Sequence, residues 1–319
     1  VSKVNKLWIA IIVLLLVSIM AYETYSFNVI SQQTVVVGYL PSNHDSALFV
    51  ADAKGMFEKE GIKVQLVPFR AGEDIIRAAH TNQIDVGYVG VSPTTIAIDK
   101  GVPVKVVASV NEEGNGIVVG ENSSITNISD LEGKRIAIPR NGSMQDILLR
   151  YALMNDNLSY AGIQTVQQEV PLMPEKLEQG DISAYVAWEP YVAASSFNQD
   201  HVLMYSQDIW NDHPCCVVVA REDFIKKKPQ LLKKFLKVHI EATDYVNSHK
   251  NETAIILSQK LGTNVCVELE ALNHVQFVSK PNVTFQDNVL KIVDIQKNVG
   301  YVKNNLTLGQ IFDLEYLSG

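Results

Sequence analysis

The chain has 319 residues, 47% hydrophobic, 8% aromatic and 19% charged, with a formal net charge of −8. This is the composition of a folded chain rather than a disordered one, and its acidic balance makes nucleic acid and anionic membrane surfaces poor partners. Three cysteines cannot build a disulfide framework, so the fold must stand on its core.

Lys3 and Lys6 precede an uncharged apolar run over residues 7–22. The run is short of the roughly 20 residues that span a bilayer comfortably and long for a signal core of about 7–15. No small-residue cleavage site stands out and no Cys follows to accept a lipid. Residues 1–30 therefore read as an uncleaved N-terminal membrane anchor, with a cleaved signal segment as the alternative. Either way the lysines stay cytoplasmic and the remainder lies outside. Seven Asn-x-Ser/Thr sequons, at Asn122, Asn127, Asn141, Asn157, Asn251, Asn282 and Asn305, fit an exported glycoprotein; polar loops rich in Asn and Ser are the alternative account.

Residues 35–40, Val-Val-Val-Gly-Tyr-Leu, are a continuous apolar run, as expected of a parallel strand buried on both faces. Pro41 to Asp45 break it. A helical pattern over 46–60 places Phe49, Ala53, Met56 and Phe57 on one face, with Gly61 just past its end. Ile62, Val64 and Leu66 alternate as the next strand, a helix follows over 73–81, and 84–89 form a third strand. Ser92 and Pro93 suit N-cap and first position of a helix that closes at Gly101, and 104–110 are another buried strand. This order predicts an α/β fold with a mostly parallel sheet and helices on both faces. A polar stretch at 111–116 interrupts the rhythm. It restarts with strands over 117–119 and 135–138 and a helix from Ser143, whose Asp146 completes a capping box.

Two segments share one layout of helix, turn, strand and loop. The first runs from Ile75 through strand 84–89 to Gly90-Val91-Ser92-Pro93; the second runs from Pro174 through strand 181–187 to Trp188-Glu189-Pro190-Tyr191. Ligands of open α/β sheets bind outside the carboxyl ends of the strands, and two such sheets facing each other make a cleft. Residues 212–220 read as a strand returning to the first lobe. Pro229 opens a long amphipathic helix with Leu232, Phe235, Leu236 and His239 on one face. The expected division is residues 34–116 and 218–319 for lobe one and 117–217 for lobe two.

The chain resembles the nitrate/sulfonate/taurine-type substrate-binding proteins of ABC importers, with pyrimidine-precursor binders as near relatives. The stretches that carry the likeness are Val37-Gly38-Tyr39-Leu40-Pro41, residues 55–62 (Gly-Met-Phe-Glu-Lys-Glu-Gly-Ile), Gly87-Tyr88-Val89-Gly90, residues 130–137 (Asp-Leu-Glu-Gly-Lys-Arg-Ile-Ala) and Trp188-Glu189-Pro190-Tyr191. The resemblance implies a two-lobed periplasmic-binding-protein-like fold of type II, in which two crossover strands join lobes that close on a solute. It also implies an ABC permease and its ATPase subunit as partners, and leaves the solute open among sulfonates, taurine, nitrate, bicarbonate, pyrimidines and flavins.

Helix N-termini suit an anionic solute, because their free N–H groups and dipole favour negative charge. Two are well marked, one with Gly90 and Ser92 and one with Asn141, Gly142 and Ser143; both serines can also serve only as caps. Ser42, Asn43 and His44 lie at the end of the first strand, where His44 could hydrogen-bond a solute or change charge near neutral pH. Gly72, beside Glu73, holds the equivalent place after the second strand. Arg70 and Arg140 are the nearest cations. Trp188, Glu189 and Tyr191 offer an aromatic wall with one acid, which the resemblance puts in the cleft; core packing of Trp188 is the other reading. Glu189 favours a solute that also carries an amine or ring N–H.

His213-Pro214-Cys215-Cys216 is the most unusual element. Adjacent cysteines can form a vicinal disulfide, bind a soft metal with His213, or begin a buried strand as small hydrophobes. The last is expected here, with no metal site and no cofactor. Catalytic constellations, phosphate-binding Gly-rich loops and zinc spacings are missing from the sequence, which argues against an exported enzyme on this fold. A sensor ectodomain would need a signalling module across the membrane. The expected function is extracytoplasmic capture of a small organic anion, sulfonate/taurine-like or nitrate-like, for an ABC permease; uptake of a pyrimidine or other vitamin precursor is the alternative.

Overall fold

Val35 and Val37 alternate with half-buried neighbours on the first strand and are fully buried, as befits an interior strand that has a neighbour on each side. In the computed structural model, residues 12–20 and 34–317 are described. The strands in chain order are β1 (Thr34–Tyr39), β2 (Lys63–Pro68), β3 (Val86–Gly90), β4 (Val104–Glu113), β5 (Asn115–Val119), β6 (Arg135–Ile138), β7 (Gln164–Gln167), β8 (Ala184–Trp188), β9 (His201–Tyr205), β10 (Pro214–Arg221) and β11 (Val275–Phe277). They form two sheets, β11-β4-β10-β3-β1-β2 and β7-β6-β8-β5-β9. In the first, β1 pairs parallel with β2 and β3, while β10 runs antiparallel to β3 and β4. In the second, β6 is parallel to β7 and β8, and β5 is antiparallel to β8 and β9. Helices flank each sheet, giving the two-lobed α/β architecture.

The chain leaves the first sheet where β4 passes through Gly114 into β5. The polar 111–116 stretch is therefore strand on both sides of one glycine, whose φ is +81°. It returns along β10, whose Val217, Val218, Val219 and Ala220 are fully buried.

Two boundaries differ from the periodicity. The pattern over 46–60 is two helices, α1 (Ser46–Ala53) and a single turn, Met56–Lys59. Gly55 sits between them in the left-handed region at φ +62°, a conformation that ends a helix at little cost only for glycine. The helix after β3 is capped by Gly90 and spans Val91–Asp99, so Ser92 is its second residue and not its cap. The Ser92 hydroxyl is used elsewhere, as described below. Residues 12–20 are helical with exposed apolar side chains such as Ile12, Leu14 and Met20. No helix among the described residues is long and apolar enough to cross a membrane; the rest of the expected anchor lies outside them.

Pro229 opens a 20-residue helix, Pro229–Ser248, that packs on the first sheet. Phe235 stacks on Phe57 at 5.4 Å and meets Tyr88 edge-on at 6.5 Å. One turn on, His239 Nε2 donates to the Ser109 carbonyl at 2.8 Å, which leaves Nδ1 to accept the Tyr88 hydroxyl at 2.9 Å. Burial drives His239 down to about 4, so the ring is neutral. This core sets the position of Tyr88, a wall of the cleft. Removing the ring by Phe235→Ala should cost about 3–5 kcal/mol, the usual range for a buried aromatic. Urea unfolding should show a lower midpoint with an unchanged slope; a loss below about 1 kcal/mol would mean that the ring is not central to the core.

Candidate functional site

Three helices begin at the carboxyl ends of strands and aim their N-termini at one cavity between the lobes. They are α2 (Gly72–His80), which follows β2; α3 (Val91–Asp99), which follows β3; and α4 (Met144–Asn155), which follows β6. Gly72, Glu73, Gly90, Pro93, Ser143, Met144 and Gln145 all line the cavity. Neither α2 nor α3 has a side-chain cap, so their first backbone N–H groups remain available to a ligand. At α4, the Ser143 hydroxyl accepts from Asp146 N at 3.2 Å.

Small residues are needed where the helices close in. A Cβ on Gly72 would stand 3.1 Å from Val89 Cγ2 and 3.2 Å from Pro93 Cγ. Apolar parts of the wall come from Leu40, Tyr88, Pro139 and Trp188. The indole Nε1 of Trp188 is buried without a hydrogen-bond partner. The space open to the centre of a water-sized sphere is about 50 Å³. Arg140 stands at the mouth, and among the described residues it makes no ion pair. Arg70 instead pairs with Glu169 across the mouth at 3.3 Å.

The lobes are closed on each other. Ser42 Oγ donates to the Glu189 carbonyl at 3.1 Å, and Ser92 Oγ donates to the Gly142 carbonyl at 2.6 Å while accepting from Gln296 Nε2 at 2.7 Å. Asp146, fully buried at the start of α4, accepts from Gly142 N at 2.8 Å, Arg150 Nε at 2.9 Å, Tyr160 at 2.6 Å and Tyr301 at 2.7 Å. The last bond ties the C-terminal part of the chain to lobe two.

Of the residues singled out in the sequence, Ser42, His44, Gly72, Gly90, Ser143 and Trp188 line the cavity. Six others lie outside that lining. Asn43 is buried beneath it. Ser92 and Gly142 are engaged in the lobe-to-lobe bond. Asn141 is exposed, and Tyr191 packs with the lobe-two cluster around Tyr185 and Val192. Glu189 points into lobe two, where Oε2 accepts from Ala193 N at 2.8 Å and caps the helix Tyr191–Phe197.

Tyr88, Asp45, Gln145, Cys215 and Cys216 were not read as site residues, and all five line the cavity. For Asp45 a signal existed, since it ends the same loop as His44. The cysteines do begin a buried strand, as expected, but their sulphurs face His44 and not His213. Cys215 Sγ and Cys216 Sγ are each 3.6 Å from His44 Nδ1 and 3.7 Å from each other. The Cys216 thiol donating to Cys215, with His44 beside it, pulls Cys215 well below the usual thiol range. Burial holds Asp45 well above the usual carboxyl range and raises Glu73 as well.

With this geometry in place, residues 30–259 match the NMT1-like family. The chain belongs to that family. This NMT1-like chain is 31% identical over 196 residues to the taurine-binding periplasmic protein of Escherichia coli (strain K12), covering 60% of the chain and 61% of that relative. Its fold matches the periplasmic aliphatic sulphonate binding protein SsuA of Escherichia coli with a TM-score of 0.78 at 23% identity, over 90% of this chain and 94% of that one. It also matches the periplasmic nitrate-binding protein NrtA of Synechocystis PCC 6803, with a TM-score of 0.74 at 16% identity over 85% and 82%. At these identities the two structures establish the two-lobed fold alone.

Burial raises Glu189 from 4.5 to about 8, partly offset by the Ala193 N–H and reinforced by the charges of Glu268 and Glu270. The folded state thus favours the protonated form. Its contribution to stability is whole below about pH 4.5 and is lost as pH rises through about 8. Glu189→Gln keeps an acceptor for Ala193 N without ionising. The wild type should therefore lose stability relative to Glu189→Gln between pH 5 and pH 8, read from denaturation midpoints; parallel pH profiles would show that the buried carboxyl does not titrate in this way.

Proposed function

We propose that this NMT1-like chain is the solute-binding component of an ABC importer, and that its cleft captures a small organic anion with a sulfonate or similar oxyanion head. The observation that carries this reading is the convergence of three helix N-termini, from both lobes, on one narrow cavity with the Arg140 guanidinium at its mouth. Backbone N–H groups and helix dipoles there favour negative charge. The apolar walls from Leu40, Tyr88, Met144 and Trp188 suit a short carbon chain, which favours an alkanesulfonate or taurine over bare nitrate. The taurine, sulphonate and nitrate binders among the relatives agree with a binding protein rather than an enzyme.

The same reading places the chain outside the cell membrane, tethered through residues 7–22, where it hands its solute to a permease and its ATPase subunit. All seven sequon asparagines are exposed, which is compatible with glycans on the outer face.

Calorimetric titration with taurine, ethanesulfonate and nitrate tests the proposal. A hydrogen bond to a charged group contributes about 1.5–3 kcal/mol, and about 1.4 kcal/mol is tenfold in affinity. Arg140→Ala should therefore weaken sulfonate binding about tenfold or more with the fold intact. Trp188→Ala should weaken ethanesulfonate more than nitrate. If no anion binds the wild type, or if neither substitution changes the affinity, the anion reading is wrong.

A further inference from the structure

We propose that His44, Cys215 and Cys216 form a binding site for a zinc-type cation at the inner end of the cleft. The three side chains come from two distant parts of the chain, yet their ligand atoms all lie within 4.8 Å of one another and all three residues are buried. The edges of the triangle are 3.6, 3.6 and 3.7 Å. With Zn–S bonds of about 2.3 Å and a Zn–N bond of about 2.0–2.1 Å, tetrahedral angles separate two sulphurs by about 3.8 Å and nitrogen from sulphur by about 3.6 Å. The side chains therefore stand close to three corners of a zinc tetrahedron.

The orientation of His44 is fixed from outside the triangle. Its Nε2 donates to the Gly114 carbonyl at 2.8 Å, which turns Nδ1 to the sulphurs, where a bound cation would take its lone pair. A ligating histidine held by a backbone carbonyl through its other nitrogen is the usual supporting arrangement of metal sites. Asn115 Nδ2 lies 3.4 Å from Cys215 Sγ and is itself held by Gln145 through a 2.6 Å bond to its Oδ1. A sulphur-to-sulphur distance of 3.7 Å leaves both thiols free, since a disulfide requires about 2.05 Å. Two thiolates and a neutral imidazole balance a divalent cation, so the buried site would carry no net charge. His44, Cys215 and Cys216 all line the cavity, so the fourth coordination position faces it. Two Cys, one His and one open position make a donor set of the kind that zinc accepts at catalytic and ligand-binding centres.

The three ligands line the same cavity as the proposed anion site, so the test uses the metal alone, which separates failure of this site from failure of the anion reading. The reduced full-length protein is titrated with Co²⁺ as a spectroscopic stand-in and then with Zn²⁺, with no solute present. One equivalent of cobalt should bind and give a near-ultraviolet sulphur-to-cobalt charge-transfer band, which zinc then abolishes. Cys215→Ser and Cys216→Ser, checked for folding by circular dichroism, should each lower the metal affinity a hundredfold or more, and replacing the exposed Cys266 by Ala should leave it unchanged. A second readout needs no variant: saturating Zn²⁺ should slow alkylation of Cys215 and Cys216 at least tenfold while Cys266 reacts as before. Absence of the band at saturating cobalt overturns the proposal whatever the alkylation rates. So does a band that survives in folded Cys215→Ser and Cys216→Ser, or a Cys215–Cys216 disulfide that persists in the reduced protein.

Discussion

The carbonyl oxygen of Gly114 is the point on which the cleft depends. Gly114 is the glycine between β4 and β5, where the chain passes from one lobe to the other. Its oxygen accepts from His44 Nε2 of lobe one at 2.8 Å and from the Glu189 backbone N–H of lobe two at 3.0 Å. No other residue type fits. At φ +81° a side chain is strained, and a Cβ would lie 2.5 Å from His44 Nε2 and 2.8 Å from Val275 Cγ2. The crossover, the orientation of His44 and the approach of the Trp188–Glu189 loop are thus consequences of one backbone atom with two lone pairs.

Closure of the lobes follows the same logic of satisfying buried polar groups. The Ser42, Ser92 and Asp146 bonds across the interface are made only when the lobes meet. Each contributes about 0.5–1.5 kcal/mol, or more where a charge takes part. Such a set favours the closed state without welding it, which is what capture and release require. The polar bonds stand beside apolar contact, since one buried cluster runs from Val91 and Val219 of lobe one to Met144 and Leu148 of lobe two.

Much of this was legible in the sequence and some was not, for identifiable reasons. Hydrophobic periodicity located the strands, and the paired helix-strand-loop layouts of residues 75–93 and 174–191 located the cleft. The stretch Gly87-Tyr88-Val89-Gly90 carried part of the family likeness. Periodicity cannot tell which way a side chain turns at a strand end. Glu189 therefore looked like a ligand contact when it caps its own helix, and Ser92 looked like a cap when its hydroxyl reaches 50 residues onward to Gly142. The meeting of His44 with Cys215 and Cys216 spans about 170 residues. No local pattern encodes it, and in the sequence His213 stood closer to the thiols.

A cleft suited to an anion carries an electrostatic conflict, because Asp45 and Glu73 stand in its wall. Burial resolves it. Both carboxyls are shifted above their ordinary range by desolvation, which favours the neutral form and reduces their repulsion of a negative solute. An arriving anion would shift them further in the same direction, since negative charge nearby disfavours ionisation. Burial of the acids and binding of the anion therefore reinforce each other.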